Sequence, residues 1–267
     1  MADWDPELYN RFQHYRAEPV EMILARLRIG PAERIADLGC GSGENTVDLA
    51  RRSAGGSATG IDSSPAMIDR ALKLRATLAP DLASRVSFVL GDLRNFSADR
   101  EYTIVFSNAA MQWVGGHREV LRACFRALRP GGQLVVQMPA NEGETAQVTI
   151  QAMASEAPWN ATLGAVKTPS NRNVSGPEVY RTMLEEVGFV EVDCHYHTFR
   201  HPMQSPAEVI EFYRATGLRP FLEGLVPDQR GPFIAELTRR LQRAYGTRGA
   251  LTFNFRRLFL WARRPSE

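Results

Sequence analysis

Lysine is nearly missing from this chain of 267 residues: Lys73 and Lys167 are the two among 32 basic residues, and the net charge is only +2. No strongly basic tract occurs, which removes the usual footprint of a nucleic-acid binder. Cysteine is scarce too. Cys40, Cys124 and Cys194 are odd in number and far apart, fit neither a zinc spacing nor a disulfide framework, and read as reduced thiols. No apolar run reaches the roughly 18–20 residues of a membrane span, and the start Met1-Ala2-Asp3-Trp4-Asp5 lacks a basic-then-apolar export pattern. These absences predict a cytoplasmic protein with no nucleic-acid and no membrane partner, and carry no signal for an oligomeric state. The excess of arginine has a bland source in genome composition, yet arginine's planar fork also suits the gripping of carboxylates and phosphates.

What the chain does have is an alternation of strand-like and helix-like segments. Buried strands are expected at residues 34–38, 58–62, 86–90, 102–107 and 133–138, the last after the turn Pro130-Gly131-Gly132. Helices are expected at 45–52, after Ser63 or Ser64 as a cap with Pro65 just inside, and at 120–128. An amphipathic stretch at 19–27 precedes them, with an aromatic-polar segment (Trp4, Tyr9, Phe12, Tyr15) before it. After Pro139 the rhythm changes: 140–175 is polar, small and Pro-containing, followed by a helix at 177–187, an extended run at 190–199, helices at 206–216 and 228–245, and an apolar-aromatic strand at 251–262. This order predicts a doubly wound α/β fold with a seven-stranded Rossmann-like sheet and helical lid insertions. It is expected to be a single domain over 1–267, with a core at 30–140, insertion and lid helices within 140–250, and a final strand at 251–262; a two-domain division would call for a linker, and none is visible.

The strongest local signal is Ile35-Ala36-Asp37-Leu38-Gly39-Cys40-Gly41-Ser42-Gly43 between the first strand and the first core helix. Alternating glycines permit a tight turn and bring backbone amides close to a ligand. A dinucleotide fingerprint would need glycine at position 44, where this chain has Glu44, and no Gly-Lys-Ser/Thr follows for a P-loop. A polyphosphate is therefore a poor match. Asp37, Asp62 and Asp92 end the first three strands, in register with the loop. One such acid is ordinarily a helix cap; three at the carboxyl ends of adjacent strands converge on the crevice where this architecture binds ligands.

On these residues the chain resembles the class I S-adenosylmethionine (SAM)-dependent methyltransferases, over roughly residues 30–140. The resemblance implies that the backbone of Gly39, Cys40 and Gly41 holds the methionine part of SAM and that Asp37 helps fix its amino group. It further implies that Asp62, with Ser63 beside it, binds the ribose hydroxyls, that Met67 packs on the adenine, that Asp92 and the Leu93 amide read the adenine edge, and that Asn108 faces the methionine end. The stretch Ser107-Asn108-Ala109-Ala110-Met111-Gln112-Trp113 lacks the Pro-Pro-aromatic turn of amide and exocyclic-nitrogen methyltransferases. Two lysines outside the right strands cannot build the Lys-Asp-Lys-Glu tetrad of RNA ribose methyltransferases. A small-molecule acceptor is favoured.

A narrower resemblance runs nearly the whole length. Asp3-Trp4, Gly60-Ile61-Asp62-Ser63-Ser64-Pro65-Ala66-Met67-Ile68, Gln112-Trp113, Val136-Gln137-Met138-Pro139, Ala215-Thr216-Gly217-Leu218-Arg219-Pro220, Arg257-Leu258-Phe259 and Ala262-Arg263-Arg264 are similar to the trans-aconitate methyltransferase branch of that family. It implies a small polycarboxylate as acceptor. Such an acid is ionised at neutral pH, so its oxygen is already a nucleophile and no acid–base residue is expected. Arginine forks with tyrosine and histidine donors are the expected clamps. The candidates are Arg16, Trp113, Tyr180, His201, Arg219 and Arg257. Bland readings stand beside them: a surface helix for Arg16, core packing for Trp113, a surface salt bridge for Arg219, and snorkelling at a sheet edge for Arg257. His195, His197 and His201 have no acid or thiol partner at ligand spacing, so no metal is expected. Another small acceptor (a phenol, an amine or a fatty acid) and a catalytically silent SAM-binding protein remain as alternatives.

Overall fold

The computed structural model describes residues 12–167, 172–214, 217–246 and 249–267. Its strands are β1 (Arg34–Leu38), β2 (Ser57–Asp62), β3 (Val86–Leu90), β4 (Tyr102–Asn108), β5 (Leu128–Pro139), β6 (Val190–Met203) and β7 (Leu251–Arg263), joined in one seven-stranded sheet of order β3-β2-β1-β4-β5-β7-β6. The pairs β1–β2, β2–β3, β1–β4 and β4–β5 are parallel. Chain order reverses between β1 and β4, which makes their carboxyl ends the switch point of a doubly wound fold. The expected seven-stranded Rossmann-like fold is therefore present.

The crossovers are α1 (Gln13–Arg26), α2 (Glu44–Arg52), α3 (Pro65–Ala76), α4 (Pro80–Ser84), α5 (His117–Ala127), α6 (Thr145–Ala154), α7 (Asn160–Leu163), α8 (Pro177–Val187), α9 (Pro206–Arg214), α10 (Arg219–Gly224) and α11 (Pro227–Tyr245). Local chemistry sets several of these boundaries. Ser64 caps α3 by accepting from the Met67 amide, and Pro65 stands at its first turn; Gly188, at φ +108°, ends α8. Several features differ from the sequence reading: α1 starts at Gln13, β6 runs on to Met203, and the short helices α4 and α10 carried no expectation. β5 begins at Leu128, ahead of the glycine pair, and its register with β4 shifts between Tyr102 and Ile104. The segment read as polar and small holds α6 and α7, because α6 makes its buried stripe from Ala146, Gln147, Ile150, Met153 and Ala154, where helical spacing is kept but two alanines and a glutamine dilute the apolar pattern. Trp4, Tyr9, Ala215 and Thr216 lie outside the described residues, and so does the Arg16 side chain.

The chain forms two compact units. One comprises Glu21–Met138, Asn173–Tyr196 and Leu258–Glu267; the other comprises Met1–Val20, Pro139–Arg172 and His197–Arg257. Both are interleaved in sequence, and β6 and β7 carry residues of each. In the first, the sheet unit, Ile35, Leu38, Ile104, Phe106 and Val135 are at most 1% exposed and are covered by Val47 and Leu49 of α2 and by Leu121 and Cys124 of α5. In the second, the aromatic unit, Phe212, Tyr213, Phe221, Phe233, Phe253 and Phe255 share one buried cluster. Phe212 meets Phe253 and Phe255 edge-on at 5.2 and 5.1 Å between ring centroids, a geometry that adds about 0.5–1.5 kcal/mol per pair beyond the area buried. Among the described residues, no helix is long and apolar enough to cross a membrane.

Candidate functional site

The glycine loop is fastened to the end of β2. The Gly39 and Cys40 amides both donate to the Ile61 carbonyl, at 2.7 and 3.1 Å, and the Gly41 amide donates to Asp62 Oδ2 at 2.9 Å. Asp62 Oδ1 accepts from the Ser64 amide at 2.9 Å. Gly39 has φ +76°, and a Cβ there would lie 2.1 Å from the Ala110 Cβ, so this position admits glycine for both conformation and space. Gly41, at φ +56°, has nothing within 4 Å of where a Cβ would point. The loop thus packs tightly on β4's side at Gly39 and leaves open room at Gly41.

The acids divide by environment. Asp37 is 1% exposed and accepts a 2.6 Å hydrogen bond from the Thr46 hydroxyl of α2. Burial pushes its carboxyl up to about 7, against the Thr46 bond, with Asp62 and Glu44 adding to the rise. Asp62 is half-buried, and each of its oxygens keeps a lone pair beyond the amide it accepts. Asp92 is held by its neighbour Arg94, whose guanidinium and amide bond its carboxylate and keep its pKa below the usual range. Leu93 is buried beside it, Met67 is half-buried on the first turn of α3, and Ser63 is exposed. Asn108 ends β4, where Ser107 Oγ donates to the Leu38 carbonyl at 2.7 Å; Asn108 Oδ1 is buried with no hydrogen-bond partner among the described residues. Cys40 is buried, and burial raises its thiol pKa, so it contributes backbone rather than a reactive sulfur.

These residues fit an adenosyl cofactor. Asp62 presents two free lone pairs to a vicinal diol, Gly41 opens a cradle that a side chain would otherwise occupy, and Asn108 supplies an unmade bond to an amino group. The structure brings Asp37, Gly39, Cys40, Gly41, Asp62 and Asn108 to the carboxyl ends of β1, β2 and β4, with Asp37 turned to Thr46. Two contributors lacked a sequence signal: Thr46, an ordinary-looking helix residue, and Arg94, which occupies the carboxylate edge expected to read adenine.

The acceptor candidates fall in different surroundings. In the sheet unit, Trp113 sits on a short 3-10 turn and is 60% exposed. Tyr180 is fully buried, with its hydroxyl 2.5 Å from His117 Nδ1, while His117 Nε2 faces the Met111 and Val114 carbonyls at 2.9 and 3.0 Å. That hydroxyl is engaged within the core of α5 and α8. In the aromatic unit, Arg219 is exposed at the start of α10 and bonds Glu223 at 2.8 Å. Arg257 is 6% exposed, with its guanidinium 4.3 Å from the Phe255 ring centroid. His201 is 1% exposed and stacks on Tyr15 at 4.1 Å. Burial, then Arg257 and His14, push its pKa down to about 4, so it is neutral near pH 7. Gln147 and Tyr213 of the same unit are also buried and polar, with nothing in their sequence context to mark them. His195 bonds Asp193 at 2.9 Å and stacks on Trp261; among the described residues no group of His, Cys, Asp and Glu is arranged to hold a metal ion.

Residues 35–132 match the family described as a methyltransferase domain. Over its full length the chain is 35% identical to the trans-aconitate 2-methyltransferase of Paracidovorax citrulli and 37% identical to that of Methylobacterium radiotolerans, covering 100% of both chains in each case. It is 36% identical to the Escherichia coli enzyme of the same name, covering 99% of each. Among solved structures it is similar to the YcgJ protein of Bacillus subtilis (TM-score 0.62, 13% identity, 95% of this chain and 100% of that one). It is also similar to Haemonchus contortus phosphoethanolamine N-methyltransferase 2 in complex with S-adenosyl-L-methionine (TM-score 0.58, 17% identity, 92% of this chain and 52% of that one). At such identities the structural likeness speaks for the fold.

Proposed function

The chain belongs to the trans-aconitate methyltransferases, a SAM-dependent family, and from that premise we propose that it transfers a methyl group to a carboxylate oxygen of trans-aconitate or a close polycarboxylate. The observation that carries the acceptor is the extent of the likeness: it spans the aromatic unit as well as the glycine loop, with 100% of both chains matched.

SAM, when bound, supplies a methyl group made electrophilic by a sulfonium. The rest of the work falls to the chain. Gly39, Cys40 and Gly41 with Asn108 take the methionine end, and Asp62 takes the ribose hydroxyls beside the exposed Ser63. Met67, Leu93 and Asp92 line the adenine, with Arg94 sharing the Asp92 carboxylate. Asp37 acts from within, tying α2 to β1 through Thr46 so that the loop keeps its shape. An ionised carboxylate needs neither a general base nor a Lewis acid to become a nucleophile. The demands on the protein are therefore desolvation, alignment and neutralisation of the acceptor's other charges. Arg257 and His201, both buried, suit that task better than the exposed Arg219.

The test is a labelled transfer. The purified chain is incubated with methyl-labelled SAM and, separately, trans-aconitate, citrate, a simple phenol and a primary amine. Label should enter trans-aconitate as a methyl ester that mild alkali releases. Preferential labelling of the phenol or amine, in an alkali-stable form, would sink the polycarboxylate reading.

A further inference from the structure

Buried polar atoms are normally paired, because leaving one unmade costs about 1–3 kcal/mol. The aromatic unit departs from this at several side chains, Asn141, Glu142 and Gln151 among them, and three others lie on the elements that surround Phe255. Tyr213 Oη, Gln147 Nε2 and both ring nitrogens of His201 have no hydrogen-bond partner among the described residues, and the three residues are 2%, 4% and 1% exposed. Phenylalanine, leucine or methionine would fill these positions without that cost.

Two of the three flank one ring. Arg257 lies over Phe255 at 4.3 Å, while the Tyr213 and His201 rings are 6.4 and 6.5 Å from it. Gln147 joins them through Gly217: a Cβ built there would come 2.6 Å from the Tyr213 ring and 3.5 Å from Gln147 Oε1. A hydroxyl, an amide NH2, an imidazole N–H and a guanidinium are all donors, and one is a permanent cation. The matching ligand offers several acceptor oxygens and negative charge. Acids also stand nearby: Glu18 Oε1 is 3.9 Å from His201 Nδ1, and Glu142 faces Tyr213 but lies 3.7 Å from Arg256.

We propose that Tyr213, Gln147 and His201, with Arg257, form a carboxylate-binding subsite that holds the acceptor's carboxylates not undergoing methylation. This deepens the proposed function and rests on its polycarboxylate acceptor. A neutral His201 suits the role, since it donates one hydrogen bond without needing a proton from solvent.

The experiment measures binding apart from turnover. Tricarballylate, a saturated tricarboxylate, and its uncharged triamide are titrated calorimetrically into the full chain with S-adenosylhomocysteine present, using wild type, Tyr213→Phe and Gln147→Leu. Wild type should bind the acid and not the triamide. Each variant should weaken the acid at least ten-fold, leave S-adenosylhomocysteine affinity within two-fold, and melt at or above the wild-type temperature, because an orphaned buried group has been removed. Nitrogen-15 spectra of wild-type histidines give a second readout that needs no variant: the His201 resonances should move on adding tricarballylate. Unchanged acid affinity in both variants, equal binding of the triamide, or still His201 resonances would each overturn the subsite. Tyr213-dependent binding without methyl ester formation would keep the subsite and sink the reaction. Ester formation with an unchanged KM in Tyr213→Phe would do the reverse.

Discussion

In the sheet unit the buried and half-buried acids are satisfied within the glycine loop and the strand ends that flank it: Asp37 by Thr46, Asp62 by Ser64 and, from 21 residues away, by Gly41, and Asp92 by Arg94. In the aromatic unit Gln147, His201 and Tyr213 come from α6, β6 and α9 and, among the described residues, keep these donors unmade. The difference separates two ways of building a binding site. A backbone loop tied to the next strand can be largely finished by the fold itself, with Asn108 Oδ1 the exception, and its ligand adds bonds mainly to spare lone pairs. A site of converging side chains is left incomplete by the fold, and its ligand supplies the missing partners.

The largest expected effect probes the first way. Gly39→Ala adds a Cβ 2.1 Å from Ala110 at a φ of +76°. The left-handed backbone costs about 1–2 kcal/mol and the overlap about 1–3 kcal/mol more. Melting should fall by several degrees, and calorimetric binding of S-adenosylhomocysteine should drop below detection. Pairing it with Ala110→Gly should remove the overlap and return part of both losses. If Gly39→Ala alone keeps wild-type affinity, the loop is not set by local chain geometry and the contrast collapses.

The second probe uses the opposed ionisation of the two units. His201 in the aromatic unit has a folded pKa of about 4 against an ordinary 6.5. As pH falls below 6.5 the unfolded chain takes up a proton that the folded chain refuses, so His201's contribution is intact above 6.5 and is lost progressively towards pH 4. At pH 5 that loss is about 2 kcal/mol. Asp37 in the sheet unit runs the other way: its folded pKa of about 7 favours the protonated acid, so its contribution fades as pH rises from 3.8 through 7. Urea unfolding of wild type and His201→Phe at pH 7 and pH 5 isolates the first effect. The variant should lose about 2 kcal/mol less on acidification. Parallel losses would place His201 where it reaches water or an acid, and would remove it from the unsatisfied set. The groups facing it are Arg257, His14, Glu18 and the stacked Tyr15.

The same contrast governs what the sequence could reveal. β1 and β3 fall at the expected residues, and β2 and β4 within one residue, because short apolar runs punctuated by glycine and aspartate leave little choice. The glycine loop and Asp62 were legible for the same reason, since their chemistry is written in consecutive residues. β5's early start was hidden by Pro130-Gly131-Gly132, and α6 by a stripe in which alanine and glutamine interrupt Ile150 and Met153. Tyr213 beside Phe212, or Gln147 beside Ala146, reads as plain helix core, because no local pattern says whether a buried hydroxyl or amide will find a partner. Tyr180 shows the converse. Its sequence context suggested a clamp, while the fold brings His117 from 63 residues away to its hydroxyl.

The smallest expected effect is the sharpest boundary on the comparison. Arg219 lies in the aromatic unit and, like Arg257, was a candidate clamp, but its side chain is 65% exposed and its Nε bonds Glu223 one turn along α10. An exposed pair of this kind is worth little, because water and salt screen it and two long side chains must be held still. Lysine keeps the charge and, at an exposed site, loses nothing that solvent does not replace. Arg219→Lys should therefore leave kcat/KM on trans-aconitate within about two-fold of wild type, with S-adenosylhomocysteine affinity unchanged. A bidentate grip on an acceptor carboxylate would give a different result, since an ammonium cannot reproduce the guanidinium fork. A loss of about thirty-fold or more, confined to the acceptor's kcat/KM, would mean that Arg219 leaves Glu223 to close on the acid. Acceptor recognition would then depend on a movable surface arginine as well as on buried donors, and the division between a site finished by the fold and one finished by its ligand would have to be drawn elsewhere.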